Sequence, residues 1–414
     1  MSEGPAQLTT HYSSRITHHA SMAIDYRAAT PRWKREADWQ ARRNAESRSS
    51  AGRELGVDKV LLALVLALTL FGAVMVYSAS AIIAEKGFGN QFHFLYKQGM
   101  WAFVGLVALA VAMKIDYRQY KRPGVVFSAL AVTALMLIIV LFLPKVNETH
   151  RWIRAAGFSL QPSEIAKLAL TAYLAYLIES RAREINDFKR VFIPATAVAG
   201  LIIVLVAAEP DLGTAMALGI VYLAVTFYAG VPVRYLGLVG LAALPGLAGM
   251  LLLVPWRLQR LMDFLDPWKN QTTSSFQVVQ SLIAIGSGGP EGVGFAQGKQ
   301  KLFYLPAPHT DFIFAVIGEE LGLIGTAAVV LIFGLLAWRG FRAARSAPDL
   351  FGQLLATGLT VMIIAQAFFN ISVTLSLVPT KGIPLPFISS GGSSLAISLF
   401  AAGVLLNVSK HEKT

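Results

Sequence analysis

The sequence has no cysteine. Disulfide bridges and zinc–thiolate centres are therefore excluded, and either redox compartment is compatible with the chain. Charge is also scarce. Asp, Glu, Lys and Arg make up 14% of the 414 residues, with 24 acidic side chains against 36 basic ones. So little charge excludes an ordinary soluble domain of this size. The N-terminal segment lacks an apolar core ahead of a small-residue cleavage site, which excludes a secretory signal peptide. No internal repeat is evident, and the special loops are unevenly placed. Both points disfavour an inverted-repeat transporter.

What is present in abundance is apolar sequence: 55% of residues are hydrophobic, and mean hydropathy is +0.56. Runs of membrane-spanning length lie near residues 59–82, 94–114, 123–144, 163–180, 191–208, 211–231, 235–255, 311–338, 351–376 and 386–407. They predict an all-α polytopic membrane protein of about ten transmembrane helices, with a long extracytoplasmic loop between the seventh and eighth. The connections at 114–123, 180–190, 231–235 and 338–349 and the C-terminal tail are all basic. With an even number of spans, this places both termini inside. The net charge of +12 then reads as a topology signal, not as a nucleic-acid footprint. Residues 1–57 form a polar, Arg-rich cytoplasmic tail. The stretch at 32–48 reads either as disorder or as a basic helix on anionic lipid. Residues 58–408 form the membrane domain and 409–414 a short cytoplasmic tail.

Three outer segments are unusual. "KVNETHRWIRAAGFSLQPSEIAK" (145–167) should lie against the membrane face. "AAEPDLGTA" (207–215) joins two helices with almost no loop and places Glu209 and Asp211 at the outer boundary. The loop at 256–310 is too long to be structureless without a function, and its "FQVVQSLIAIG" is amphipathic enough for an interfacial or re-entrant helix.

The charged residues of these segments gather on one side of the membrane. Arg151, Lys167, Lys299, Lys301, His309 and Lys381 surround one acid, Asp311. Such a cationic pocket suits a lipid with a phosphate or pyrophosphate head group. The acid suits a general base that takes a proton from a sugar hydroxyl. The competing reading of the cations is interfacial snorkelling; the competing reading of Asp311 or Thr310 is a helix cap. Glu319 and Glu320 lie about two turns deeper and, being adjacent, point about 100° apart. They read as structural, one paired with a cation such as Lys167 and the other accepting hydrogen bonds from broken backbone. "SSGGSS" opens the last helix either as an anion site or as close packing of small residues.

"RWIRAAGFSLQPSEIAKL", "EPDLGTA", "QSLIAIGSGGPEGVG", "HTDFIFAVIGEELGLIG" and "PTKGIPLPFISSGGSSL" together closely resemble the SEDS family (shape, elongation, division and sporulation) over about residues 58–408. The resemblance implies a ten-helix enzyme that polymerises lipid II into peptidoglycan glycan strands alongside a class B penicillin-binding protein and other divisome proteins. It places the family's essential outer-face aspartate on Asp311, its Arg-Trp pair on Arg151 and Trp152, and a conserved-motif lysine on Lys167. "PTKG", with Lys381, points to the division branch and not to the elongation branch. The implied substrates are lipid II and an undecaprenyl-diphosphate-linked glycan. The implied location is the bacterial inner membrane at the septum.

Three positions depart from the family pattern: Glu209 replaces a usual Gln, Ser159 and Leu160 stand where a basic residue often precedes "QP", and "ISSGGSS" replaces "ISYGGSS". Arg154 is the candidate substitute for the missing cation. Asp311 is then the expected base, and Arg151, Lys167 and Lys381 hold the pyrophosphate. Glu319, Glu320, Glu164 and Asp211 brace the cavity wall. No all-protein metal cage is visible. A Mg2+ or Mn2+ ion bridging Asp311 and the pyrophosphate is compatible with hard oxygen ligands. The competing functions are a lipid II flippase, an elongation-type polymerase and a scaffold without bond chemistry.

Overall fold

The computed structural model describes residues 56–144, 150–155, 158–252, 255–273, 275–302 and 304–411. The reading of a basic helix at 32–48 falls outside the described residues.

Among the described residues twelve α-helices follow in chain order: α1 (Lys59–Phe88), α2 (His93–Lys114), α3 (Pro123–Leu141), α4 (Pro162–Ser180), α5 (Ile193–Ala208), α6 (Leu212–Tyr228), α7 (Val233–Leu252), α8 (Pro255–Leu265), α9 (Phe276–Gly288), α10 (Ile313–Ser346), α11 (Leu350–Thr374) and α12 (Ser393–Ser409). A two-stranded antiparallel hairpin, β1 (Ile153–Ala155) and β2 (Phe158–Leu160), pairs Ile153 with Leu160. Ten of the helices are the ten apolar runs of the sequence, and α8 and α9 fall in the long loop between the seventh and eighth. The chain is an all-helical polytopic membrane protein. Six helices are long and apolar enough to cross a membrane by length and composition.

Helix ends follow local chemistry. Asp58, Asp211 and Asp349 each accept a hydrogen bond from a first-turn N–H of α1, α6 and α11, at 2.9, 3.2 and 2.8 Å. Proline opens α3, α4 and α5 near the first position, where its missing N–H costs nothing. In the middle, α11 is buried along almost its whole length and presents Gln366, Asn370 and Thr374 to the interior. Helices α2 and α12 pack closely because Gly403 lacks a side chain. A Cβ there would lie 2.6 Å from the Leu109 carbonyl oxygen.

Helix α10 is broken at Gly322, whose φ of 63° lies in the left-handed region. The glycine-rich segment after α9 is spliced into the break. Val293 and Gly294 donate N–H bonds to the freed carbonyls of Glu319 and Glu320, at 2.9 and 3.1 Å. In return Leu323 and Ile324 donate to Gly289 and Pro290 at 2.9 and 3.1 Å. Backbone polar groups at membrane depth must find protein partners, and this exchange supplies them. The segment read as an interfacial or re-entrant helix is α9, whose last residue, Gly288, meets α10 at Gly318.

The same splice explains the two adjacent glutamates. Glu319 accepts N–H bonds from Lys299 (2.7 Å) and Gln300 (3.1 Å). Glu320, fully buried, pairs with Lys301 at 2.6 Å and accepts from Ser78 of α1 and the Ala296 N–H. The partner of the paired glutamate is Lys301, not the expected Lys167, because the inserted loop brings its own lysine to the break.

Candidate active site

A cavity of about 460 Å³ opens where the residues flanking the hairpin, α8, the start of α9, the residues before α10 and the segment 380–391 meet. Arg151, Trp152 and Gln161 line one side, Arg260 and Gln277 a second, Thr310, Asp311 and Phe312 a third, and Thr380, Lys381, Gly382 and Pro384 a fourth.

Arg151 is fixed from behind by the "EPD" turn. It donates to the carbonyls of Pro210 (2.6 Å) and Glu209 (3.3 Å), and Asp211 lies 4.0 Å away. Asp211 is itself buried and occupied. It caps α6 and accepts from the Gln161 amide at 2.9 Å. It therefore stands behind the cavity and orients two residues that line it. Glu209 is completely buried, and among the described residues neither carboxyl oxygen has a hydrogen-bond partner. Burial, reinforced by Asp211 and opposed by Arg151, pushes its carboxyl up to about 9. At neutral pH it is an uncharged acid, close in shape and polarity to the glutamine expected at this position.

Asp311 lies two residues before α10. The capping alternative does not hold: Phe312 occupies the N-cap position without any side-chain cap, and the Thr310 hydroxyl donates to the Ala307 carbonyl at 2.9 Å. Among the described residues, the Asp311 carboxylate has no hydrogen bond or ion pair. It faces Gly382, where a Cβ would sit 2.8 Å from its Oδ2. Burial pushes its carboxyl up to about 6, with Arg151 pulling it down and Asp211 pushing it up. Across the cavity, burial and the neighbouring Arg151 hold the Arg260 guanidinium below its usual value. Arg151 and Arg260 thus bring two guanidiniums to one cavity, and Lys381, whose Nζ lies 2.7 Å from the Met216 sulfur, brings a third cation to its lining. Such a set suits an anion of more than one charge.

Of the residues singled out from sequence, Asp311, Arg151, Trp152 and Lys381 line this cavity. The others lie elsewhere. Lys167 is 2% exposed and bound to Glu164 (2.9 Å) and to the Gln366 side-chain carbonyl. Lys301 is taken by Glu320, and Lys299 is exposed and is not among the residues that line the cavity. His309 is packed on Phe94 with ring centroids 4.2 Å apart. Burial, with Lys97 adding, pushes its imidazole down to about 4, so it supplies no positive charge at neutral pH. Of the "SSGGSS" motif, Ser390 and Gly391 also line the cavity, whereas Ser393 accepts from the Gln161 N–H and Ser394 from the Gln366 amide.

Arg260 was not anticipated. Its signal lay in "PWRLQRLMDFL", where arginines three apart mark one face of a short amphipathic helix. No local pattern says that this face turns to a cavity. Among the described residues no three His, Asp or Glu side chains converge as a metal cage. Asp311 offers one hard oxygen ligand among cations, which does not fit a protein-held divalent ion.

The model of the cell cycle protein family FtsW/RodA/SpoVE matches residues 58–414. The chain belongs to this family. The probable peptidoglycan glycosyltransferase FtsW of Geobacter sp. (strain M18) is 44% identical over 358 residues, covering 86% of this chain and 97% of that protein. Stage V sporulation protein E of Bacillus subtilis (strain 168) is 40% identical over 360 residues, 86% of this chain and 98% of its own length. Among solved structures, a chain of a peptidoglycan synthase complex described as coordinating polymerization and crosslinking superposes with a TM-score of 0.72 at 29% identity. It covers 86% of this chain and 99% of itself. The rod shape determining protein RodA of Thermus thermophilus gives 0.63 at 28% identity, covering 87% and 99%.

Proposed function

We propose that the chain is a membrane-embedded, inverting peptidoglycan glycosyltransferase that polymerises lipid II into glycan strands during cell division. The observation that carries this is an uncommitted carboxylate, Asp311, facing Arg151, Arg260 and Lys381 around one cavity. The family membership and the relatives named as peptidoglycan glycosyltransferases support it.

The 4-hydroxyl of an incoming lipid II attacks the anomeric carbon of the growing, lipid-linked strand. The new glycosidic C–O bond forms as the bond to the pyrophosphate oxygen breaks. Asp311 accepts the hydroxyl proton, and a carboxylate made more basic by burial does this better than an exposed one. Arg151, held by two backbone carbonyls, is pre-oriented toward the charge that develops on the departing pyrophosphate. Arg260 and Lys381 supply the remaining positive charge, and Trp152 offers an apolar wall. Inversion needs no covalent intermediate, so a single carboxylate suffices. No step is routed through a metal ion.

The buried pairs Lys167–Glu164 and Lys301–Glu320 neutralise each other. The deeper charges therefore offer no polar route through the membrane, which favours an enzyme over a flippase. The likeness to a chain of a synthase complex supports a transpeptidase partner of the class B penicillin-binding type. The inner membrane at the septum, with both termini cytoplasmic, is the matching location. The test is labelled lipid II with purified protein and that partner, products resolved on a gel. Wild type makes glycan strands; Asp311→Asn inserts and folds but loses at least a hundredfold in rate. Full turnover by Asp311→Asn would end this assignment.

A further inference from the structure

One buried amide joins the two loops that face each other across the cavity. Asn370, on α11 and 1% exposed, donates from Nδ2 to the Asp311 carbonyl at 2.8 Å and to the Ile383 carbonyl at 2.7 Å. The first acceptor belongs to the residue whose carboxylate lines the cavity. The second lies two residues beyond Lys381 and next to Gly382, against which the Asp311 carboxylate rests. Two carbonyl acceptors fix which end of the amide is nitrogen. Its Oδ1 has no hydrogen-bond partner among the described residues.

An amide placed for stability alone would satisfy its acceptor too, because a buried, unpaired polar atom costs free energy. This one spends both donors on two loops and leaves its oxygen bare. Neither loop has helix or strand hydrogen bonds at these carbonyls. The base-bearing loop has two more ties, Ser389 Oγ to the Thr310 carbonyl (2.6 Å) and the Ser390 N–H to the His309 carbonyl (2.9 Å). Both reach the segment beyond Pro384. Asn370 alone among these ties sets the base loop against the Lys381–Ile383 stretch.

We infer that Asn370 is a positioning residue: it holds the Asp311 loop at a fixed distance from the Lys381–Ile383 loop, so that base and leaving-group cation meet one substrate together. This deepens the glycosyltransferase reading and rests on it. Arg151 is anchored separately by Glu209 and Pro210, so loss of the Asn370 tie misplaces the base more than it weakens substrate binding. Misplacement by about 1 Å can cost on the order of a hundredfold in rate.

The experiment compares wild type, Asp311→Asn, Asn370→Leu and Asn370→Ser in lipid II polymerisation with the partner present, with kcat and KM separated and thermal unfolding followed in parallel. Asn370→Leu keeps the volume and removes both donors; Asn370→Ser keeps one. The expected result is a kcat lower by 30-fold or more for Asn370→Leu, an intermediate loss for Asn370→Ser, and KM within threefold of wild type for both. An active wild type, a dead Asp311→Asn and an Asn370→Leu within threefold of wild-type kcat would overturn this inference alone. Equal losses in kcat, KM and folded fraction, or failure of both Asn370 variants to fold, would assign Asn370 to stability and overturn it as well. An inactive wild type, indistinguishable from Asp311→Asn, would overturn the enzyme reading and this inference with it.

Discussion

The Lys301–Glu320 pair allows a quantitative test of how the broken helix is held. Glu320 is fully buried, the Lys301 side chain is 4% exposed, and their charged atoms are 2.6 Å apart. Lys301→Met keeps the stem and removes the ammonium. Glu320 is then left with two neutral donors, the Ser78 hydroxyl and the Ala296 N–H. Breaking a buried pair from one side costs about 3–5 kcal/mol, against a net stability of about 5–15 kcal/mol for a typical domain. Glu320→Gln orphans Lys301 instead and should cost a similar amount. The double variant Lys301→Met/Glu320→Gln removes both charges and keeps an acceptor for Ala296, so it should return to within about 2 kcal/mol of wild type. Tryptophan fluorescence during unfolding in micelles reads all three, since the chain carries seven tryptophans. Two near-neutral single variants, or a double variant as unstable as the sum of the singles, would refute the coupled-pair explanation of the splice.

Three further expectations concern the base and the glycine loop. Because Asp311 titrates near 6, above its ordinary value of 3.8, it is ionised and competent above that pH. The rate should fall about tenfold per unit as pH drops below 6, and a flat profile from pH 8 to 4.5 would contradict the assignment. A carboxyl raised in the folded state opposes folding once ionised, so at pH 7 Asp311→Asn should unfold at the same temperature as wild type or higher. Gly292 has φ +83° and a Cβ there would meet the Glu320 carbonyl at 2.1 Å. Gly292→Ala should lose roughly 2–4 kcal/mol, whereas Gly286→Ala, with open space around it, should be neutral or slightly stabilising. Equal unfolding midpoints for the two would show that the splice is not tightly packed.

The helical spans were legible because a membrane enforces long apolar runs, and each run became one helix. Asp311 was legible as the one acid among the cations of that membrane face. Its freedom from capping duty was not, because "PAPHTD" fits a cap as well as a base and only the start of α10 at Ile313 decides. The cations were read as one cluster because they share a membrane face. The structure divides them, since a shared face does not fix depth or direction. Lys167 and Lys301 turn inward to glutamates, and Arg151 turns to the cavity. Arg260 was missed because its place depends on how α8 is set against the Arg151 side of the cavity, a long-range arrangement with no local trace. Glu209 shows the reverse case. Its departure from the usual glutamine looked like a change of charge, and burial makes it chemically mild.

The interruption at Gly322 divides α10 mechanically. Its first half, which begins beside the base, and its second half, which runs on to Ser346 and joins Asp58 through Arg339, are both stitched to the loop after α9, through the carbonyls of Glu319 and Glu320 on one side and the N–H groups of Leu323 and Ile324 on the other. A continuous rod would carry a twist from one membrane face to the other. Here the two halves are coupled through the inserted loop that bonds to both. Helix α11 has no such break, and through Asn370 it holds the base loop directly.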